Sequence, residues 1–167
     1  MNADKYSTLN VGHDVRGNIN IYQEHNEALA IGEQLKVAVG ITTLRTDVLV
    51  VRRKEPHGPL DWQFPAGIVK PGEFSWKVAE LETIAETGIS VSMHEQLGMR
   101  VHPVTGVEMH YFACRYLSGS PKNLDANENR DCRWQPITSL GDLIPIDQIF
   151  SRVLEYLNRC VCGTLEP

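Results

Sequence analysis

Two glutamates, Glu82 and Glu86, stand four residues apart in the stretch "GIVKPGEFSWKVAELETIAETGI" at residues 67–89. On a helix such residues lie about 40° apart around the axis, so both carboxylates point the same way. Magnesium takes oxygen ligands and keeps several waters, and a few carboxylates plus a substrate phosphate are enough to hold it. Taken alone, such a pair is more often solvated helix surface. Three further sets of residues could serve a ligand. Arg52, Arg53 and Lys54 close a strand-like run and could meet substrate phosphates, or form an ordinary surface charge run. Trp62, Phe64 and Tyr111 could stack on a nucleobase, or fill the core as strand aromatics more often do. Cys114, Cys132, Cys160 and Cys162 include no CxxC pair, so they read as reduced structural cysteines rather than zinc or redox ligands.

Those residues have to be positioned by recognisable elements. The runs "LKVAVGITTL" and "TDVLVVRRK" are rich in β-branched residues and are separated by Arg45-Thr46, which predicts an antiparallel pair. The segment "EPHGPLDWQFPAG" reads as loop leading into a short strand, punctuated by Pro59, Pro65 and Gly67. Residues 75–87 form the clearest helix: Ser75 can cap its start and Gly88 can end it in the left-handed conformation. Leu81, Ala85 and Val78 share one arc of that helix, which would widen its core-facing stripe. Strands are expected around 89–103 and 107–117. A polar loop and "CRWQPI" follow, and "IDQIFSRVLEYLNRCV" closes the chain as a helix. This mixture without strict βα alternation points to a layered α+β domain.

The chain has 167 residues, 42% hydrophobic and 22% charged, which suits one domain with a real core. A formal charge of -5 gives no basic surface for nucleic acid. No apolar run reaches the roughly 18 residues of a membrane span, and the polar start "MNADKYSTLN" lacks a signal-peptide core. A cytoplasmic protein without membrane partners is the expectation. Residues 1–34 read as an N-terminal extension, 35–160 as the domain and 161–167 as a tail. Within the extension, Ile19 and Ile21 of "NINIYQE" share one face of a short strand.

The spacing of the quoted stretch resembles the Nudix box, GX5EX7REUXEEXGU, where U is a bulky aliphatic residue. Gly67, Glu73, Glu82, Glu86, Gly88 and Ile89 fall in register with it. The flanks "WQFPAG", "RVHPVTGVEMHYF" and "NENRDCRWQPI" are similar to family segments, and the resemblance runs over about residues 35–157. Three box positions depart from the pattern: Leu81 replaces the arginine, Thr83 the aliphatic residue and Ala85 a glutamate. The resemblance implies a Nudix fold, a mixed β-sheet sandwiched between helices. It also implies a hydrolase that cleaves a diphosphate linkage in a small nucleoside diphosphate derivative, with Mg2+ or Mn2+ as cofactor and a thinned metal site. Under it Glu82, Glu86 and Glu128 are catalytic and, with the carbonyl near Gly67, bind metal; Asp131 is the substitute for Glu128, and Glu73 supports the loop. Arg52, Trp62, Phe64 and Tyr111 become substrate-binding candidates. In some Nudix groups an extension before the domain builds a homodimer, the role expected for residues 1–34. The alternative is a catalytically impaired Nudix domain that binds a nucleotide or serves regulation, for which Leu81 and Ala85 speak.

Overall fold

The computed structural model describes residues 34–57, 60–103 and 106–163. The extension strand at Ile19 and Ile21 and most of the tail lie outside these residues. Two β-branched runs form β1 (Lys36–Leu44) and β2 (Asp47–His57), joined through Arg45, whose φ of 57° makes the tight reversal. Their mutual pairing is limited to the turn end, Thr43 with Val48 and Leu44 with Asp47. Beyond it the strands splay apart, and the chain fills the fork with β3 (Leu60–Gln63) on β2 and β4 (Ala66–Ile68) on β1. Gly40 N–H donates to Pro65 O at 2.9 Å, which ties the β3–β4 connection across the fork.

The sheet is completed by β5 (Ser90–Val101), β6 (Glu108–Ser118) and β7 (Asn129–Pro136). β6 runs parallel to β1 and antiparallel to β5, while β7 runs antiparallel to β2, so the seven-stranded sheet is mixed. Helix α1 (Ser75–Thr87) covers one face, packing with Ala38, Leu49, Phe112 and Cys114 through Val78 and Ala79. Helix α2 (Ser151–Val161) covers the other with Val153, Tyr156 and Leu157, over Val39, Ile41, Val48, Val50 and Tyr111. This is the α+β sandwich expected from the sequence.

Three local expectations change. Phe74, not Ser75, occupies the N-cap of α1, and no side chain caps it. The last helix starts at Ser151 rather than near residue 146, because Ile149 is extended and buried while Phe150 leans on the Tyr111 ring at 5.1 Å. Leu81 and Ala85 point outward, Leu81 being 52% exposed, so they do not widen the core stripe. Ala79, Thr83 and Glu86 take the centre of the buried face, and the helical period carries Leu81 and Ala85 away from it.

Candidate active site

The α1 helix approaches the sheet closely where the sheet lacks side chains. A Cβ on Gly40 would lie 2.4 Å from Thr83 Oγ1, and that hydroxyl is satisfied by Ala79 O at 2.7 Å. Threonine in place of the box aliphatic is therefore accommodated as a small, internally bonded group. A Cβ on Gly67 would lie 2.2 Å from Glu82 Cγ and 2.8 Å from Glu82 Oε1. Glycine at 67 is what lets the Glu82 side chain rest on β4. One turn later Glu86 is buried, 2% exposed, and its Oε2 has no hydrogen-bond partner.

The long polar loop before β7 is laid over the C-terminal end of α1. Lys122 N–H donates to Thr87 O at 2.9 Å and Leu124 N–H to Glu86 O at 3.0 Å. Asp125 Oδ1 accepts from the N–H groups of Asn127 and Glu128, and Lys54 N–H donates to Glu128 O at 2.8 Å. Glu128 and Asp125 are thereby brought into the electrostatic surroundings of Glu86. Burial and the charges of Glu82, Glu128 and Asp125 hold the Glu86 carboxyl well above the usual carboxylate range, with Arg53 acting in the opposite direction. Burial lowers the Arg53 guanidinium from its ordinary value, and Glu128 and Glu86 offset this. Arg53 Nη1 also donates to Gln63 Oε1 at 3.2 Å.

A buried carboxylate oxygen with no donor, surrounded by like charges, is the kind of group a cation relieves. Oxygen donors alone are the chemistry a hard divalent ion takes. Glu82 and Glu86 fit such an ion on these grounds. Among the described residues no group of three or more His, Cys, Asp or Glu stands gathered to hold a metal. Glu73 Oε2 accepts from Lys70 N–H at 2.9 Å and steadies the turn at Gly72. Asp131 is paired across Arg52 rather than Arg53.

Gly67, Glu82, Glu86 and Glu128 are thus brought to one side of the sheet, and the ligand candidates Arg52, Trp62, Phe64 and Tyr111 are not. The three rings are buried on the α2 side, in the core with Val39 and Leu157. Trp62 is faced by the guanidinium carbons of Arg133 at 4.6 Å and Arg52 at 5.6 Å. Arg52 Nε donates to Asp61 Oδ2 at 2.6 Å, and Arg130 binds the other oxygen of Asp61. Tyr111 O–H receives Arg100 Nε at 3.2 Å.

Sequence reasoning passed over Asp125 and Asn129, and from the run Arg52, Arg53 and Lys54 it carried Arg52 forward rather than Arg53. A signal for choosing Arg53 was present: in "TDVLVVRRK", Arg53 stands four positions after Leu49, which puts both on one face of an extended strand, and Leu49 faces α1. Asn129 had no such signal. A register shift between Arg52 and Arg53 pairs Asp131 with Arg52 and Asn129 with Arg53, passing over Arg130. Asn129 is 2% exposed and its Nδ2 lacks an acceptor. The cysteines are free; burial pushes the Cys114 thiol up to about 12, and burial with Asp131 and Glu86 pushes Cys132 up to about 11.

Comparison with known proteins agrees with this architecture. Residues 34–157 match the model of the NUDIX domain. The NAD-capped RNA hydrolase NudC of Vibrio atlanticus (strain LGP32) is 28% identical over 116 residues, covering 69% of this chain and 43% of that protein. The chain therefore spans less than half the length of that relative. Among solved structures, a NUDIX hydrolase from Nitrosomonas europaea superposes with a TM-score of 0.61 at 19% identity, covering 75% of this chain and 71% of its own. An ADP-ribose pyrophosphatase from Streptococcus suis 89-1591 has a TM-score of 0.59 at 15% identity, with coverages of 79% and 92%. With the box in register on α1 and the match extending over most of the chain, the protein belongs to the Nudix hydrolase family.

Proposed function

We propose that the protein hydrolyses a diphosphate linkage in a small nucleoside diphosphate derivative, with Mg2+ or Mn2+ held by Glu82 and Glu86. The observation that carries this reading is Glu86: a buried carboxylate with an unpartnered oxygen, among Glu82, Glu128 and Asp125. Gly67 would present its carbonyl beside Glu82, and Glu128 would be a further ligand or the group that activates water. The cation, when bound, supplies neutralisation of phosphate charge, which phosphoryl transfer needs more than covalent help. The chain's own groups orient the reactants. Glu82 is held against β4 by the room left at Gly67. Glu128 is fixed by its backbone to β2, so its carboxylate can accept a proton from water without a large loop movement. The buried Nδ2 of Asn129 is a donor suited to a phosphate oxygen.

A second reading, a nucleotide-binding or regulatory module with impaired turnover, is favoured by position 85. Ala85 is exposed beside this acidic cluster and offers no carboxylate. The two readings separate in a hydrolysis screen with Mg2+ and Mn2+, run beside Ala85→Glu. The panel includes ADP-ribose and an NAD-capped RNA, because the similar proteins are named for those substrates. The enzyme reading expects turnover of a small diphosphate by the wild type and faster turnover by Ala85→Glu. No turnover in either protein, with nucleotide binding retained, establishes the module.

A further inference from the structure

We propose that Arg52, Arg130 and Arg133 form a second site, apart from the carboxylates, that binds a multiply charged phosphate group. Strand pairing brings the three together around β2. Arg52 lies opposite Trp62 of β3, and Val50, on the same face of β2 and in the α2-side core, lies opposite Arg133 of β7. Arg130, passed over at the register shift between β2 and β7, reaches Oδ1 of Asp61 on β3. Arg52 Nε donates to Oδ2 of the same carboxylate at 2.6 Å. Arg133 and Arg52 also share the Trp62 ring, their guanidinium carbons 4.6 Å and 5.6 Å from its centroid.

Charge and donors here exceed what the protein consumes. Each guanidinium carries a planar fork of several N–H donors and keeps its charge at all ordinary pH. Arg52 and Arg130 use one donor each on Asp61, and Arg133 makes no hydrogen bond or ion pair among the described residues. Asp131, opposite Arg52 in the ladder, is in no ion pair with any of the three. A single bonded carboxylate thus serves three permanent cations, in a chain whose net charge is -5. The two that share Trp62 stand within about 10 Å of each other, roughly one Debye length in ordinary salt, where like charges still repel. An anion of more than one charge relieves that repulsion. Phosphate oxygens match the guanidinium fork, and a diphosphate offers enough of them to meet all three groups. Access is open: Arg52 and Arg130 side chains are 39% and 42% exposed, and Arg133 is exposed. Trp62 itself is buried beneath two guanidiniums and presents no free face to a nucleobase, so the phosphate is what this patch recognises. The proposal does not depend on Glu82 and Glu86 being cation ligands.

The test is calorimetric titration of inorganic pyrophosphate into the full chain at low salt with EDTA present, for wild type, Arg133→Gln, Arg130→Gln and Glu86→Gln. EDTA removes divalent ions, so the acidic side at Glu82, Glu86 and Glu128 repels the probe. Wild type is expected to bind, and added salt to weaken the binding. Arg133→Gln and Arg130→Gln are each expected to weaken it about tenfold, the loss of one charge-assisted contact. Glu86→Gln should stay within about twofold of wild type, as distant sites do. ADP titrated alongside separates the sources of the group: affinity like that of pyrophosphate assigns the site to a nucleotide's diphosphate, and much weaker affinity to the free ion. No binding by wild type overturns the proposal, as does binding that both arginine variants keep or that Glu86→Gln abolishes. Melting temperatures report folding. If one glutamine variant does not fold, the other decides. If neither folds, Asp61→Asn decides: it frees two guanidiniums from their carboxylate and should tighten pyrophosphate severalfold, and unchanged or weaker binding overturns the site.

Discussion

Glu80 and Glu86 are both buried carboxylates on α1, and their surroundings act on them in opposite directions. Burial raises the Glu80 carboxyl, but Lys77 Nζ at 2.8 Å and Met93 N–H at 2.6 Å outweigh it, so the group sits below its ordinary value. Its stabilisation is present above the unfolded-state value and is lost as pH falls through the lower folded value. Glu80→Gln should therefore lower the urea midpoint at neutral pH and flatten the wild type's loss of stability between about pH 5 and pH 3. Equal acid sensitivity in the two proteins would remove this role. For Glu86 the sign reverses. Its raised value means that stability is full below the unfolded-state value and declines as pH rises through the folded one. Metal-free protein should consequently lose melting temperature from about pH 5 towards pH 8, saturating Mg2+ or Mn2+ should restore it, and Glu86→Gln should suppress both effects. A metal-induced shift that survives Glu86→Gln would place the ion elsewhere.

At the scale of elements, the site depends on how closely α1 meets β1 and β4. Gly67 is the sensitive contact, because a methyl there would fall within 2.2 Å of Glu82 Cγ. The atoms opposed to it belong to a flexible side chain, so Gly67→Ala should fold and displace the Glu82 carboxylate rather than the helix. The expected result is a melting temperature without metal within a few degrees of wild type, roughly a 1 kcal/mol effect, together with loss of most of the metal-induced shift. A normal metal response in a well-folded Gly67→Ala would show that the close approach of Glu82 to β4 is not needed. Gly40 is the contrasting case: a Cβ there meets backbone Ala79 O at 3.1 Å as well as Thr83 Oγ1. The helix itself, not one side chain, would have to yield.

For the whole molecule, the described residues form one sandwich in which α1 and α2 cover opposite faces of the sheet. Among them no helix is long and apolar enough to cross a membrane. The proposed role of residues 1–34 as a dimerising extension rests on the alternation of Ile19 and Ile21, outside the described residues. An apolar strand face beside a complete domain is more stable when covered. The expected outcome is a homodimer by light scattering that persists in high salt, because apolar contacts are not screened. Deleting residues 1–30 should yield a monomer that keeps the α1 fold and its metal response. Intact protein that runs as a monomer at micromolar concentration would rule the dimer out.

Spacing alone identified the box, the helix that carries Glu82 and Glu86, the Gly88 terminus with φ of 70°, and the layered class. These are local properties: helical period, glycine conformation and β-branched runs act within a few residues of sequence. The outward position of Leu81 and Ala85 was also carried by the helical period, but only once the buried face was known to be that of Ala79, Thr83 and Glu86. Which face of β2 meets α1 decided that Arg53, rather than Arg52, joins the carboxylates. The register shift with β7 brought Asn129 opposite Arg53, and the loop bonds to Glu86 O and Thr87 O placed Asp125 and Glu128 near the end of α1. Those relations arise from pairing between segments more than 70 residues apart in the case of Lys54 and Glu128. No local pattern encodes which partner a strand edge will take, so the charge balance around Glu86 was settled only by the folded sheet.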